Sequence, residues 1–178
     1  ILALIIFGGA MAITGYNSDI YPLDRVRGHF DGVIGSSDPD TIRTHLIAIQ
    51  LDLEPLIEKL PETIDADNNI ISKNPVWVFP TESTNFIRIQ NDVNSMLQSV
   101  NTISTIPQDN SAYHTGMLDI NSRAVLIQEN IADAIPYMYV SLSNIIFSCI
   151  WIAAILGVFA VLNKKKQKMN EYDVSQDV

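Results

Sequence analysis

The chain has 178 residues, 20 acidic against 11 basic, a net charge of −9 and a single cysteine. That length leaves room for one domain plus membrane segments rather than two full domains. The acidic balance argues against binding nucleic acid or another polyanion, and one cysteine excludes an intrachain disulfide or a thiolate metal cluster.

The opening stretch, Ile1 to Ile13, is apolar, with Gly8, Gly9 and Ala10 small enough to let another helix approach closely. Ala10-Met11-Ala12 also has the small-x-small pattern of a leader cleavage site. We read residues 1–15 as a first transmembrane helix, truncated at its start, that enters from the cytoplasm.

Residues 16–137 hold 17 acids and 7 bases and show four stretches of helical periodicity. The first, short and interrupted by Gly28 and Gly32, places Leu23, Val26, Phe30 and Val33 on one face. The second opens at Ser37-Asp38-Pro39-Asp40, where a capping residue precedes proline at the first helical position. Its apolar residues Ile42, Leu46, Ile49, Leu53, Leu56 and Leu60 alternate spacings of four and three; Pro55 predicts a kink and Pro61 a stop. The third carries Phe86, Ile89, Val93, Met96, Val100 and Ile103, with Asn91, Asn94, Ser95, Gln98 and Asn101 on its outer face. The fourth carries Tyr113, Met117, Ile120, Ala124, Ile127, Ile131 and Ala134. One narrow seam per segment predicts helices packed as a bundle, and no stretch alternates long enough to predict a sheet.

Between the second and third helices, Pro61 to Thr81 reads as irregular. Asp65, Asp67, Asn68 and Asn69 have alternating oxygen ligands, but Ile70 replaces the glycine and Val76 the closing acid of a calcium loop, so a solvated turn is expected. Trp77 and Phe79, between Pro75 and Pro80, form an aromatic patch that could cover the bundle, a membrane or a partner. His29, His45 and His114 lack the spacing of a helical metal site, although His29 and Asp31 could offer two ligands. Asp52, Glu54 and Glu58 read as a solvated face. No catalytic residue, metal site or cofactor is expected, and the 14 asparagines include no glycosylation sequon.

Tyr139 to Leu162 runs 24 residues without Asp, Glu, Lys, Arg or His. As a helix it extends about 36 Å, enough to cross a hydrocarbon core of about 30 Å with some tilt. Residues 138–162 are therefore read as a second transmembrane helix, with a break expected near Ile135 because of Pro136 and a stalk-like continuation into the bilayer. Lys164, Lys165, Lys166 and Lys168 mark residues 163–178 as a cytoplasmic tail. The fold class is thus all-α: two transmembrane helices flanking an extracytoplasmic bundle of three long helices plus one short.

The layout from Ile1 to Leu162 resembles that of four-helix-bundle sensor domains of transmembrane receptors. By topology, size and an Asn-, Ile- and Ser-rich composition, the chain also resembles small accessory subunits of archaeal copper-dependent ammonia monooxygenase. That second resemblance implies a supporting role beside catalytic subunits. The expected function is a non-catalytic accessory subunit of a multi-subunit membrane complex; the alternative is a sensor or ligand-binding domain acting through a partner. Expected partners are the lipid bilayer and other membrane subunits, with no nucleic acid and no small-molecule substrate. Trp77, Phe79, Ser141, Asn144, Ser148 and Gly157 are the partner-contact candidates.

Overall fold

Helix formation follows the apolar seams closely. The computed structural model describes residues 2–58, 62–64, 66–67, 70–73 and 81–176. Its elements in order are α1 (Leu2–Gly15), a π-helical segment (Tyr16–Ile20), α2 (Tyr21–Ile34) and α3 (Pro39–Glu58), then strands β1 (Glu62–Ile64) and β2 (Ile70–Lys73). After a 3-10 turn (Glu82–Thr84) come α4 (Phe86–Ile103), α5 (Ser111–Met138) and α6 (Leu142–Gln176). The chain divides into two compact units, Ile1–Gly15 with Ser143–Val178, and Tyr16–Leu142.

In the second unit, α2 packs on α3, α3 on α4, α4 on α5, and α5 back on α2, closing a ring of four helices. The cross-helix hydrogen bonds fix their directions. Arg43 Nε donates to Asn101 Oδ1 at 2.9 Å, and Gln50 donates to Asn94, so α3 and α4 are antiparallel. Short connections between consecutive helices favour this arrangement. The core is the set of seam residues: Leu23, Val26, Phe30 and Val33 from α2; Ile42, Leu46, Ile49, Leu53 and Leu56 from α3; Phe86 through Ile103 from α4; and Tyr113 through Met138 from α5. The short glycine-interrupted stretch is a full 14-residue helix. No Cβ would meet any obstacle at Gly28, so that glycine costs helix propensity without a packing role.

Asp38 caps α3. Its Oδ2 accepts from the Thr41 backbone N–H at 2.9 Å and from the Thr41 hydroxyl at 2.7 Å, with Pro39 in the first turn. These bonds, the side-chain one foremost, hold the Asp38 carboxyl below the usual carboxylate range. At the other end α3 continues through Pro55 to Glu58. Leu60 and Pro61 lie outside the described residues.

Two expectations need correction. The stretch after α3 contains a two-stranded antiparallel hairpin, with Glu62 opposite Lys73 and Thr63 opposite Ser72. Its register shifts between Thr63 and Ile64, and Ala66 and Asp67 lie in a turn. The strands are only three and four residues long, too short to show an alternating pattern. Second, the break expected at Ile135 falls instead at Tyr139–Ser141. Helix α5 continues through Pro136 because Ala134 and Met138, on either side, are both buried in the seam. Packing there outweighs one lost backbone hydrogen bond. The helix then closes with tight turns, Val140 N to Tyr137 O and Ser141 N to Met138 O, both 3.1 Å.

In the other unit, α6 is one helix of 35 residues, so the residues read as a separate tail continue the same helix to Gln176. It is the one helix among the described residues long and apolar enough to cross a membrane, over Asn144–Gln167. Helix α1, with 14 residues, covers about 21 Å.

Val93 is fully buried at the centre of α4. Val93→Asp places an unpaired carboxylate there at a cost of several kcal/mol, against a whole-domain stability of about 5–15 kcal/mol. Circular dichroism of this variant should show loss of cooperative melting; a melt like that of the parent would mean the seam is misassigned.

Candidate functional site

Three places bring polar or aromatic side chains together across helices. The first lies between α1 and α6. Trp151 Nε1 donates to the Leu4 carbonyl at 3.2 Å, and the indole occupies the space where a Cβ on Gly8 would sit. Seven residues further along α1, Asn144 occupies the corresponding space at Gly15, with Phe147 beside it. Gly8 faces Trp151 and Gly15 faces Asn144, so the two helices run antiparallel with a two-turn repeat. Small residues on one helix admit bulky ones from the other, the usual device where lipid provides no hydrophobic drive for helix association. An indole N–H in an apolar setting also needs an acceptor, and a helix carbonyl can take a second bond.

The second place joins the start of the bundle to the turn after α5. Asp19, in the π-helical segment, accepts from the Ser18 hydroxyl at 2.8 Å and from the buried Ser141 hydroxyl. Tyr16 donates its hydroxyl to Asp24 Oδ2 at 2.8 Å, and this bond is the largest cause raising the Tyr16 pKa above its ordinary value. π-helical turns are rare and often mark positions where a helix register is adjusted. Nothing in the sequence pattern signalled this one.

The third place is on facing sides of α2 and α3. His29 Nδ1 and His45 Nδ1 are 3.2 Å apart, with ring centroids at 5.5 Å. Asp52 Oδ2 lies 3.5 Å from His29 Nε2, and Asp52 Oδ1 lies 3.2 Å from an Arg25 guanidinium nitrogen. Asp52 was expected on a solvated face with Glu54 and Glu58, but its side chain is only 10% exposed because α2 lies over it. Glu54 is exposed. Asp31, considered as a co-ligand of His29, instead accepts from Gln128 Nε2 of α5 at 2.6 Å. Among the described residues no group of three or more His, Cys, Asp or Glu side chains gathers in a metal-binding arrangement.

The sequence-derived contact candidates are distributed unevenly. Ser141 is turned inward to Asp19, and Asn144 lies against Gly15 of α1, so both serve contacts within their own unit. Ser148 is exposed, and Gly157 is exposed with open space around it. Trp77 and Phe79 lie outside the described residues. On α4, Asn91, Asn94, Ser95, Gln98 and Asn101 are all exposed, yet Asn94 and Asn101 already bond to α3.

These features define a helical-bundle protein carrying one membrane-crossing candidate helix. Comparison with protein-family models, with curated proteins and with solved structures gives no match to this chain.

Gly8→Val puts a branched Cβ into the space held by the Trp151 indole. In a Trp77→Phe background reconstituted into vesicles, brominated lipid should quench Trp151 more strongly in Gly8→Val than in its parent. Equal quenching would mean that the indole does not rest on Gly8.

Proposed function

We propose that this chain is a non-catalytic accessory subunit of a multi-subunit integral membrane complex. The observation that carries the reading is α6. None of its Asn144–Gln167 stretch is buried, and Leu156, Phe159 and Val161 are each more than 60% exposed. So large an apolar surface is stable only against lipid or protein. In this reading α1 is a second membrane helix paired with α6, and the exposed lysines Lys164, Lys165 and Lys166 lie on the cytoplasmic side. The bundle of α2 to α5 is then extracytoplasmic, in a multi-pass protein of the cell membrane with both termini in the cytoplasm. The archaeal ammonia monooxygenase complex is carried forward as the candidate assembly, on topology, size and composition.

Several features support a partner-directed role. The outward face of α5 carries Leu118, Val125 and Leu126, all exposed, and Ser148 and Gly157 leave α6 open to close approach. The alternative, an extracytoplasmic sensor acting through a partner, draws on the closed ring of four helices.

Purification of the tagged chain from native membranes in a mild detergent distinguishes the two. The expected result is a large assembly with fixed stoichiometry, whose co-purifying proteins mass spectrometry identifies. Migration as a lone monomer or dimer would overturn the accessory reading and favour the sensor.

A further inference from the structure

We propose that the end of the bundle carrying Tyr16, Tyr21, Tyr137 and Tyr139 is a docking surface for the lipid bilayer, seated among the headgroups of electrically neutral phospholipids. This deepens the membrane reading of α6 and rests on it. Three observations converge on this end.

The first is composition. Four of the chain's six tyrosines fall here, and all four are exposed, Tyr139 by 60%. Val140 and Leu142 beside them are exposed as well. A tyrosine presents an apolar ring and a polar hydroxyl, which suits the boundary between hydrocarbon and water better than either phase alone.

The second is clustering. These residues come from both ends of the unit's sequence, yet they share one neighbourhood. Tyr16 and Tyr21 have ring centroids 6.3 Å apart. The bond to Asp24 raises the Tyr16 pKa most, and Tyr139 and Tyr21, close enough to be felt, raise it further. The Ser141 hydroxyl, donated to Asp19, ties the turn after α5 to the segment before α2. Tyr137 lies in the last turn of α5, beside that closure. The fold, rather than a run of sequence, assembles this surface.

The third is reach. Asn144, where the membrane-crossing candidate stretch starts, follows Tyr139 by five residues. Five residues cover at most about 18 Å even when fully extended. With α6 in lipid, Tyr139 therefore lies close to the bilayer surface, and Tyr16 and Tyr21 lie there with it.

Charge selects the lipid. Asp24 accepts from Tyr16, and Asp19 accepts from Ser18 and Ser141, so the two carboxylates beside the rings are held by hydroxyls of the protein. Residues 16–137 carry 17 acids and 7 bases, a field that repels anionic headgroups and favours neutral ones.

The test uses the full chain reconstituted into phosphatidylcholine vesicles. In a Trp77→Phe background the remaining tryptophan, Trp151, should be quenched by lipid brominated along its acyl chains, which places α6 in the bilayer. In a Trp77→Phe, Trp151→Phe background, Tyr21→Trp should be quenched by lipid brominated just below the headgroup and much less by lipid brominated near the chain end. Adding Tyr139→Asp should remove about half of that quenching, because a carboxylate is driven out of the interface. Circular dichroism establishes that each variant is folded. Quenched Trp151 with an unquenched Tyr21→Trp, or equal quenching in the folded Tyr139→Asp variant, would overturn the docking surface and leave the membrane reading standing. An unquenched Trp151 would overturn both.

Discussion

The bundle depends on one apolar stripe per helix, buried against its two neighbours in the ring. With a single cysteine, exposed on α6, no disulfide supports it. The surface charge does not help either, since acids outnumber bases by more than two to one over residues 16–137. Burial of Leu, Ile, Val, Phe and Met must offset both self-repulsion and the entropy of ordering the chain. The seams of α2 to α5 do this with little else: their cross-helix polar contacts are few and mostly lie on the rim, where such pairs contribute little. Asp52 is the exception, a nearly buried carboxylate set between a guanidinium and an imidazole.

The other unit holds the one membrane-crossing candidate helix among the described residues. Over Asn144–Gln167, helix α6 is long and apolar enough to cross a membrane, and none of its residues is fully buried. Such a helix is at home in lipid. Its contact with α1 follows from shape. Glycines at positions 8 and 15 recur at the repeat of two helical turns, and the side chains opposite them are an indole and an amide that each bring a polar atom. The indole N–H reaches a backbone carbonyl, and an unmet N–H in hydrocarbon would cost several kcal/mol.

Much of the bundle was legible because a helical seam is a local signal. Spacings of three and four picked out residues such as Phe30, Leu46, Val93 and Ile127, all of which are buried. The cap at Asp38 was likewise readable from a proline one position on. What was hidden depends on partners distant in the chain. His29, His45 and Asp52 share no motif spacing, and only the antiparallel packing of α2 on α3 brings them together. The inward turn of Ser141 depends on Asp19, more than a hundred residues earlier. Pro136 misled for a related reason: local stereochemistry favours a break before it, whereas the buried residues on both sides hold the helix. The short hairpin after α3 is too brief for a pattern to emerge. The pairing of Gly8 and Gly15 was not read from the sequence, because its meaning depends on Trp151 and Asn144 more than a hundred residues away.

The central claim is that the bundle lies outside the cell and the lysine end of α6 inside, and site-specific labelling tests it most directly. In a Cys149→Ala background, one cysteine replaces exposed Gln108 between α4 and α5, and in a second variant one replaces exposed Gln167, just after the three lysines that follow Asn163. A membrane-impermeant maleimide applied to intact cells should label the Gln108→Cys variant at once and the Gln167→Cys variant only after permeabilisation. Labelling of Gln167→Cys from outside, with Gln108→Cys protected, would contradict the account.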